Sequence, residues 1–146
     1  MREIIFRGKR CDNGEWIGGS LVHQTLFYGD ETDCYHILHG GEFDCDFYDA
    51  EEVIPETIGQ FTGLTDKNGK KIFEGDIVKE ADVVHNGEIQ IHGNVFSVSM
   101  RKGCWVVIPA SDTEEWDFLN SYLPYLEVIG NIHDNPELLE VSEDGK

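Results

Sequence analysis

Four cysteine and histidine residues in the first third of the sequence have side chains that could ligate a metal ion. Cys34, His36 and His39 follow one another closely, and Cys45 comes six residues later. Thiolate sulfur and neutral imidazole nitrogen are ligands that zinc prefers, and four of them close a tetrahedral site. Their spacing matches no zinc finger or zinc ribbon, so buried cysteines and partly exposed histidines are the simpler interpretation. We therefore predict no cofactor, and a metal or small-ligand site at these four residues stays an alternative.

A run of acidic side chains close to these residues could attract cations or basic proteins. It consists of Asp44, Asp46, Asp49, Glu51 and Glu52. Carboxylate oxygens are calcium ligands, but Tyr48 stands where an EF-hand loop requires Asp or Asn. A solvated acidic surface is the simpler interpretation, and we take the five carboxylates as candidates for a charge-driven binding surface.

The sequence contains no arrangement typical of an enzyme. It has neither a phosphate-binding P-loop nor a dinucleotide fingerprint. Ser20 follows Gly18 and Gly19 but lacks the second glycine of a nucleophile elbow, and Cys11 and Cys104 have no adjacent base. We therefore predict that the protein is not an enzyme, and we assign no catalytic residue.

Several aromatic side chains could form a surface that stacks on sugars or bases. They are Trp16, Trp105, Trp116, Phe118, Tyr122 and Tyr125. Aromatic residues supply much of the buried area in small β domains, so packing in a core or an interface is the simpler interpretation.

The chain as a whole is strongly acidic. Its 146 residues include 29 Asp and Glu against 11 Lys and Arg, a net charge of −18 with neutral histidines. No lysine or arginine occurs between residues 11 and 66. Nucleic acids and anionic membranes are bound through clustered Lys and Arg, so we expect neither direct nucleic-acid binding nor membrane binding. The composition favours a partner with a basic surface.

Targeting signals are not visible in the sequence. No stretch reaches the ~18 apolar residues that a membrane-spanning helix needs, and no apolar run of signal-peptide length occurs near the start. The four cysteines include no C-x-x-C pair, so reduced thiols are expected rather than a disulfide framework. We expect a cytoplasmic protein.

Local patterns predict a mainly β fold. The Asn13-Gly14 step predicts a hairpin between strands at 3–7 and 15–23, and a second hairpin is predicted between 25–28 and 34–38. Alternating polar and apolar residues predict a further strand at 43–48. Short strands are then predicted, separated by glycines, at 71–73, 76–79, 88–91, 95–100 and 105–108. Their spacing is typical of a small β-barrel or sandwich, with an SH3-like barrel in the C-terminal half.

Helix signals are confined to the last third of the chain. Ser111-x-x-Glu114 is a capping-box pattern that predicts a helix over 111–123, and Asn135 followed by proline predicts a second, shorter one. We interpret the chain as a single unit of residues 1–146. It could also divide into halves: a β-meander at 1–63 and an SH3-like barrel with short helices at 64–140.

Three sets of motifs in chain order resemble the YopX family of phage and prophage proteins. They are FRGKR at 6–10 with GEW at 14–16, then VIPETIGQFTGL at 53–64 with DKNGK at 66–70 and FEGDIV at 73–78, and finally EVIGNI at 127–132 with NPELL at 135–139. The resemblance implies a β-rich protein encoded by a phage or prophage. It implies no established activity and transfers no catalytic residues. Residues 25–49 and 81–113 match only loosely.

The function predicted from all of this is non-enzymatic binding of a host or phage macromolecule. One form of it is DNA mimicry, since a row of carboxylates can imitate the ~1.7 Å charge spacing of duplex DNA and occupy a basic groove. A site for a small ligand or metal is one alternative. A structural subunit that forms a homo-oligomer through exposed β edges is the other.

Overall fold

A computed structural model of the protein describes residues 3–28, 30–39, 49–81, 83–90 and 93–140. The chain divides into two compact units, Met1–Phe61 and Thr62–Lys146. Nearly all regular structure in the described residues is antiparallel β, which confirms the prediction of a mainly β fold. The strand predicted at 43–48 lies outside the described residues.

The first unit is built on five strands, in the order β4-β3-β2-β1-β5, of a six-stranded antiparallel sheet. The sixth strand, β6 (Lys71–Phe73), pairs with β5 and belongs to the second unit. Its strands are β1 (Phe6–Lys9), β2 (Trp16–Tyr28), β3 (Asp30–His39), β4 (Asp49–Glu52) and β5 (Gly59–Thr65), which continues into the second unit. The two predicted hairpins are confirmed, since β1 pairs with β2 and β2 pairs with β3. Ile37 and Val53 are almost completely buried at the centre of this unit.

The second unit contains a five-stranded antiparallel sheet in the order β12-β11-β10-β7-β13 and a separate pair, β8-β9. The strands are β6 (Lys71–Phe73), β7 (Asp76–Glu80), β8 (Val83–His85), β9 (Glu88–Gln90), β10 (Val95–Arg101), β11 (Cys104–Pro109), β12 (Asp117–Phe118) and β13 (Leu126–Asn131). Most of them fall where the sequence predicts strands. In the described residues, the five-stranded sheet ends at β12 and at β13 and does not close on itself. Neither a closed barrel nor an SH3-like topology is confirmed.

The predicted helix over 111–123 is wrong. This segment contains β12 and two 3-10 turns, Leu119–Ser121 and Leu123–Tyr125. The Glu114 N–H bonds to the Asp112 carboxylate at 3.1 Å, which makes a short turn in place of a capped helix. Pairing of β12 with β11 then directs Leu119 into the core, where it is fully buried. Tertiary packing therefore overrides the capping box.

The second predicted helix is a single 3-10 turn, Pro136–Leu139, and no α-helix occurs in the described ranges. The Asn135 side chain accepts a hydrogen bond from the Asn131 N–H at 3.2 Å and does not cap the turn. Gly130 sits against that amide, since an added Cβ would lie 2.5 Å from its oxygen. None of the helical segments described is long and apolar enough to cross a membrane.

Asp66 fixes the turn that connects β5 and β6. Its Oδ1 accepts the N–H groups of Asn68 at 2.8 Å and Lys70 at 2.9 Å, and its Oδ2 accepts the Val128 N–H at 3.0 Å. The side chain is buried, which raises the pKa of its carboxyl, but the three N–H groups outweigh burial and hold that pKa below its ordinary value. One carboxylate thus joins the turn at 66–70 to β13.

Candidate functional site

The structure does not gather the predicted metal ligands at one point. Cys34, His36 and His39 all lie on β3, where successive side chains point to opposite faces of the sheet. Cys34 and His36 therefore share one face and His39 lies on the other, 4.0 Å from a Glu51 carboxylate oxygen. Cys45 lies outside the described residues. Within the described ranges, no group of three or more His, Cys, Asp and Glu is arranged to hold a metal ion.

The predicted acidic row is also divided by the sheet. Glu51 and Glu52 are neighbours on β4, so their side chains point to opposite faces. Glu51 is half-buried and makes an ion pair with Arg10 at 3.2 Å, whereas Glu52 is exposed. Asp49 begins β4, and Asp44 and Asp46 lie outside the described residues.

A different set of carboxylates gathers where the β1–β2 turn meets β4. Arg10 forms a bridge with Val53, and the Cys11 N–H donates to the Glu52 carbonyl oxygen at 2.9 Å. These contacts bring Asp12, Glu15 and Glu51 close enough to Arg10 to raise the pKa of its guanidinium. They also bring Asp12 and Glu52 close enough to Cys11 to raise the pKa of its thiol. We call this set the acidic cluster: Asp12, Glu15, Glu51 and Glu52.

The acidic cluster keeps an excess of negative charge. Arg10 donates two hydrogen bonds to Asp12, Nε to Oδ1 at 3.0 Å and Nη2 to Oδ2 at 2.7 Å, and it also contacts Glu51. These bonds lower the pKa of the Asp12 carboxyl and raise the pKa of the Arg10 guanidinium, so both groups are charged at neutral pH. Asp12, Glu15 and Glu51 act on the Arg10 guanidinium and Glu52 acts on Cys11, so the set carries four negative charges and Arg10 one positive charge. Glu15 and Glu52 are exposed to solvent.

The pKa of the Cys11 thiol also depends on the negative charge of the acidic cluster. Partial loss of hydration raises the pKa of this largely exposed thiol above the ordinary value, and the charges of Glu52 and Asp12 raise it further. A reactive cysteine needs the opposite environment, one that favours the thiolate. The surroundings of Cys11 therefore suit attraction of a cationic surface and do not activate a nucleophile.

Sequence reasoning missed Asp12 and Glu15 as members of this cluster. The Asn-Gly step correctly predicts the turn in which they lie. Their proximity to Glu51 and Glu52 depends on pairing between Arg10 and Val53, which are far apart in the chain. No pattern among neighbouring residues in the sequence predicts such a long-range contact.

The second unit has an apolar groove of about 450 Å³. Leu64 and Trp105 form its floor and pack against the core. Phe118 on β12 lines one side of the groove and is 48% exposed. The remaining lining residues have polar or thiol side chains, namely Thr62, Cys104, Asn120 and Ser121. A cavity of this size with an apolar floor and a polar rim can accept a side chain or a small ligand.

The groove brings together part of the predicted aromatic set. The Trp116 ring meets Phe118 edge-on, with 5.7 Å between ring centroids. Tyr122 packs against Phe96 in the core instead. Trp16 belongs to the first unit, where the Arg7 guanidinium lies 4.8 Å from its ring centroid.

Comparisons with known proteins agree with the sequence motifs. The family model described as YopX protein matches residues 5–140. None of the curated proteins matches the chain. Among solved structures, the crystal structure of protein EF1440 from Enterococcus faecalis is similar, with 24% identity and a TM-score of 0.50. The match covers 96% of this chain and 100% of that one, and it supports the fold alone.

Proposed function

The chain belongs to the YopX family, and we propose that it is a phage- or prophage-encoded, non-enzymatic protein that binds a host or phage macromolecule through an acidic surface. The observation that carries this proposal is the acidic cluster, a set of four carboxylates near Arg10 and Cys11 whose negative charge exceeds the positive charge of the Arg10 guanidinium. We expect the binding to take place in the host cytoplasm.

The chemistry of the cluster defines the kind of partner. Exposed carboxylates attract a surface that is rich in lysine and arginine, and they raise the rate of encounter more than the final affinity. Such an attraction is screened by salt, since the Debye length falls from about 10 Å at 0.1 M to about 3 Å at 1 M. A partner held by this surface should therefore be released as ionic strength rises.

The DNA-mimic form of the proposal also uses the charges of Asp44, Asp46 and Asp49. They precede Glu51 in the sequence and share its charge. A partner bound in this way would be a DNA-binding protein whose basic groove accepts either ligand. Duplex DNA would then compete with the protein for that partner.

A pull-down from host lysate at low and high salt tests the proposal. The charge-reversing variant E15K/E52K changes two exposed side chains and leaves both carboxylates that contact Arg10 in place. The matched control E88K/E137K makes the same change in net charge at two exposed positions of the second unit.

We expect a basic partner that the wild type and the control retain at about 50 mM salt and release at about 500 mM. E15K/E52K should retain much less of it at low salt. Displacement of the partner by added duplex DNA would support mimicry. A lysate that yields no basic partner at low salt, or equal retention by E15K/E52K, would contradict the proposal.

A further inference from the structure

We propose that the apolar groove of the second unit is a docking site for a short protein segment that carries a large apolar side chain within two or three residues of lysine or arginine. The site uses no residue of the acidic cluster. It would add shape recognition to a protein whose other binding surface is purely electrostatic.

The position of Phe118 is the first argument. β12 has only two residues, Asp117 and Phe118, and their pairing with Val107 and Val106 fixes the backbone that carries the Phe118 side chain. The next residue, Leu119, is fully buried, so the chain is anchored directly after the exposed ring. Trp116 braces that ring from the side. An exposed aromatic side chain that is held in place loses little conformational freedom when it binds, which favours affinity.

The floor of the groove is the second argument. Leu64 and Trp105 are only partly buried, yet both pack against the hydrophobic core. The core keeps them in position, so the groove is formed before any ligand arrives. Its volume fits one large side chain and the backbone beside it better than a whole secondary-structure element.

The charges at the groove select the occupant. The chain leading into Phe118 carries four exposed carboxylates, those of Asp112, Glu114, Glu115 and Asp117. At the other end, Arg101 and Lys102 are exposed just before Cys104, which lines the groove. A segment with its apolar side chain in the groove would therefore place a basic neighbour towards 112–117 and an acidic one towards the 101–102 turn. This polarity favours a peptide over a neutral sugar or lipid.

Titration of the 15N-labelled full chain with a blocked hexapeptide, Lys-Lys-Gly-Phe-Gly-Glu, tests the site by NMR. We expect saturable shifts of the amides of Cys104, Trp105, Phe118 and Asn120 and of the Trp105 indole N–H. A peptide with serine in place of phenylalanine should bind at least about tenfold more weakly. A peptide with both lysines replaced by glutamate should also bind more weakly, because it would face the carboxylates at 112–117.

Variants of the protein complete the test. F118S should raise the Kd for the hexapeptide at least about tenfold, whereas Y125S, which changes a comparably exposed aromatic residue outside the groove, should leave it unchanged. E114K/E115K should weaken binding of the lysine peptide and strengthen binding of the glutamate peptide. The amide spectrum of each variant shows whether it is folded.

Two results would overturn the inference. One is the absence of shifts around the groove at millimolar peptide, and the other is equal binding by F118S and the wild type. E15K/E52K should bind the hexapeptide normally. Failure at the groove and failure at the acidic cluster can therefore be told apart.

Discussion

The Asp66 carboxylate gives the sharpest test of how the second unit is held together. It accepts three backbone N–H groups and is only 6% exposed. Replacement by alanine leaves these donors without their acceptor. A hydrogen bond to a charged group contributes roughly 1.5–3 kcal/mol, and the three share one side chain and are not additive. We therefore expect D66A to lower the free energy of unfolding by about 3–5 kcal/mol, a large part of a typical domain's stability.

Asparagine at the same position separates shape from charge. The amide oxygen of D66N can still accept the Asn68 and Lys70 N–H groups, but the amide nitrogen would then face the Val128 N–H, donor against donor. We expect a loss of about 1.5–3 kcal/mol. D112N is the matched control. Its exposed carboxylate accepts the Glu114 N–H, which an amide oxygen can also do, so its effect should stay within about 0.5 kcal/mol.

The dependence on pH follows from the lowered pKa of Asp66. Because the folded state holds this pKa below the unfolded value, the carboxylate's contribution is complete above the unfolded pKa and disappears as pH falls through the folded one. Urea unfolding followed by circular dichroism, at pH 7 and at several pH values below about 4, measures this contribution to the free energy of unfolding. The difference in free energy of unfolding between the wild type and D66N should become smaller as pH falls. Equal stability at pH 7, or a difference that does not change with pH, would refute this reasoning.

Three further results are expected. In a variant whose only cysteine is Cys11, the pH midpoint of alkylation by iodoacetamide should lie above the ordinary pKa of a thiol. Glu52→Gln should lower that midpoint, because it removes a nearby negative charge. A midpoint at or below the ordinary thiol pKa would contradict a negative environment around Cys11. G130A should destabilise the protein by about 1–3 kcal/mol in urea, because its Cβ would meet Asn135, and N135G should recover part of the loss. L119A should cost about 2–5 kcal/mol, since this side chain is fully buried; a loss below 1 kcal/mol would place Leu119 outside the core.

Local signals predict most of this fold correctly. The Asn13-Gly14 step fixes the first hairpin, and glycine-separated apolar runs locate β6, β7, β10 and β11. The helix over 111–123 fails because a capping box states only a local preference, while burial of Leu119 and pairing of Phe118 with β11 are long-range effects. The two-residue strand β12 is too short to leave a periodic pattern.

The candidate sites depend on long-range contacts in the same way. The sequence indicates that the first half of the chain is acidic, but it cannot indicate that Asp12 lies near Glu51. That proximity comes from the bridge between Arg10 and Val53. Alternation along β3 could have shown in advance that His39 and His36 point to opposite faces, since it requires only the correct strand assignment.

The most direct test of the proposed function is the affinity of the captured basic partner for the wild type, E15K/E52K and E88K/E137K, measured by calorimetry at about 50 mM and about 300 mM salt. We predict that E15K/E52K binds at least about tenfold more weakly than the wild type at low salt, that the gap narrows at high salt, and that the control stays close to the wild type. Equal affinities for all three proteins, or equal losses in both variants, would contradict a binding role for the acidic cluster.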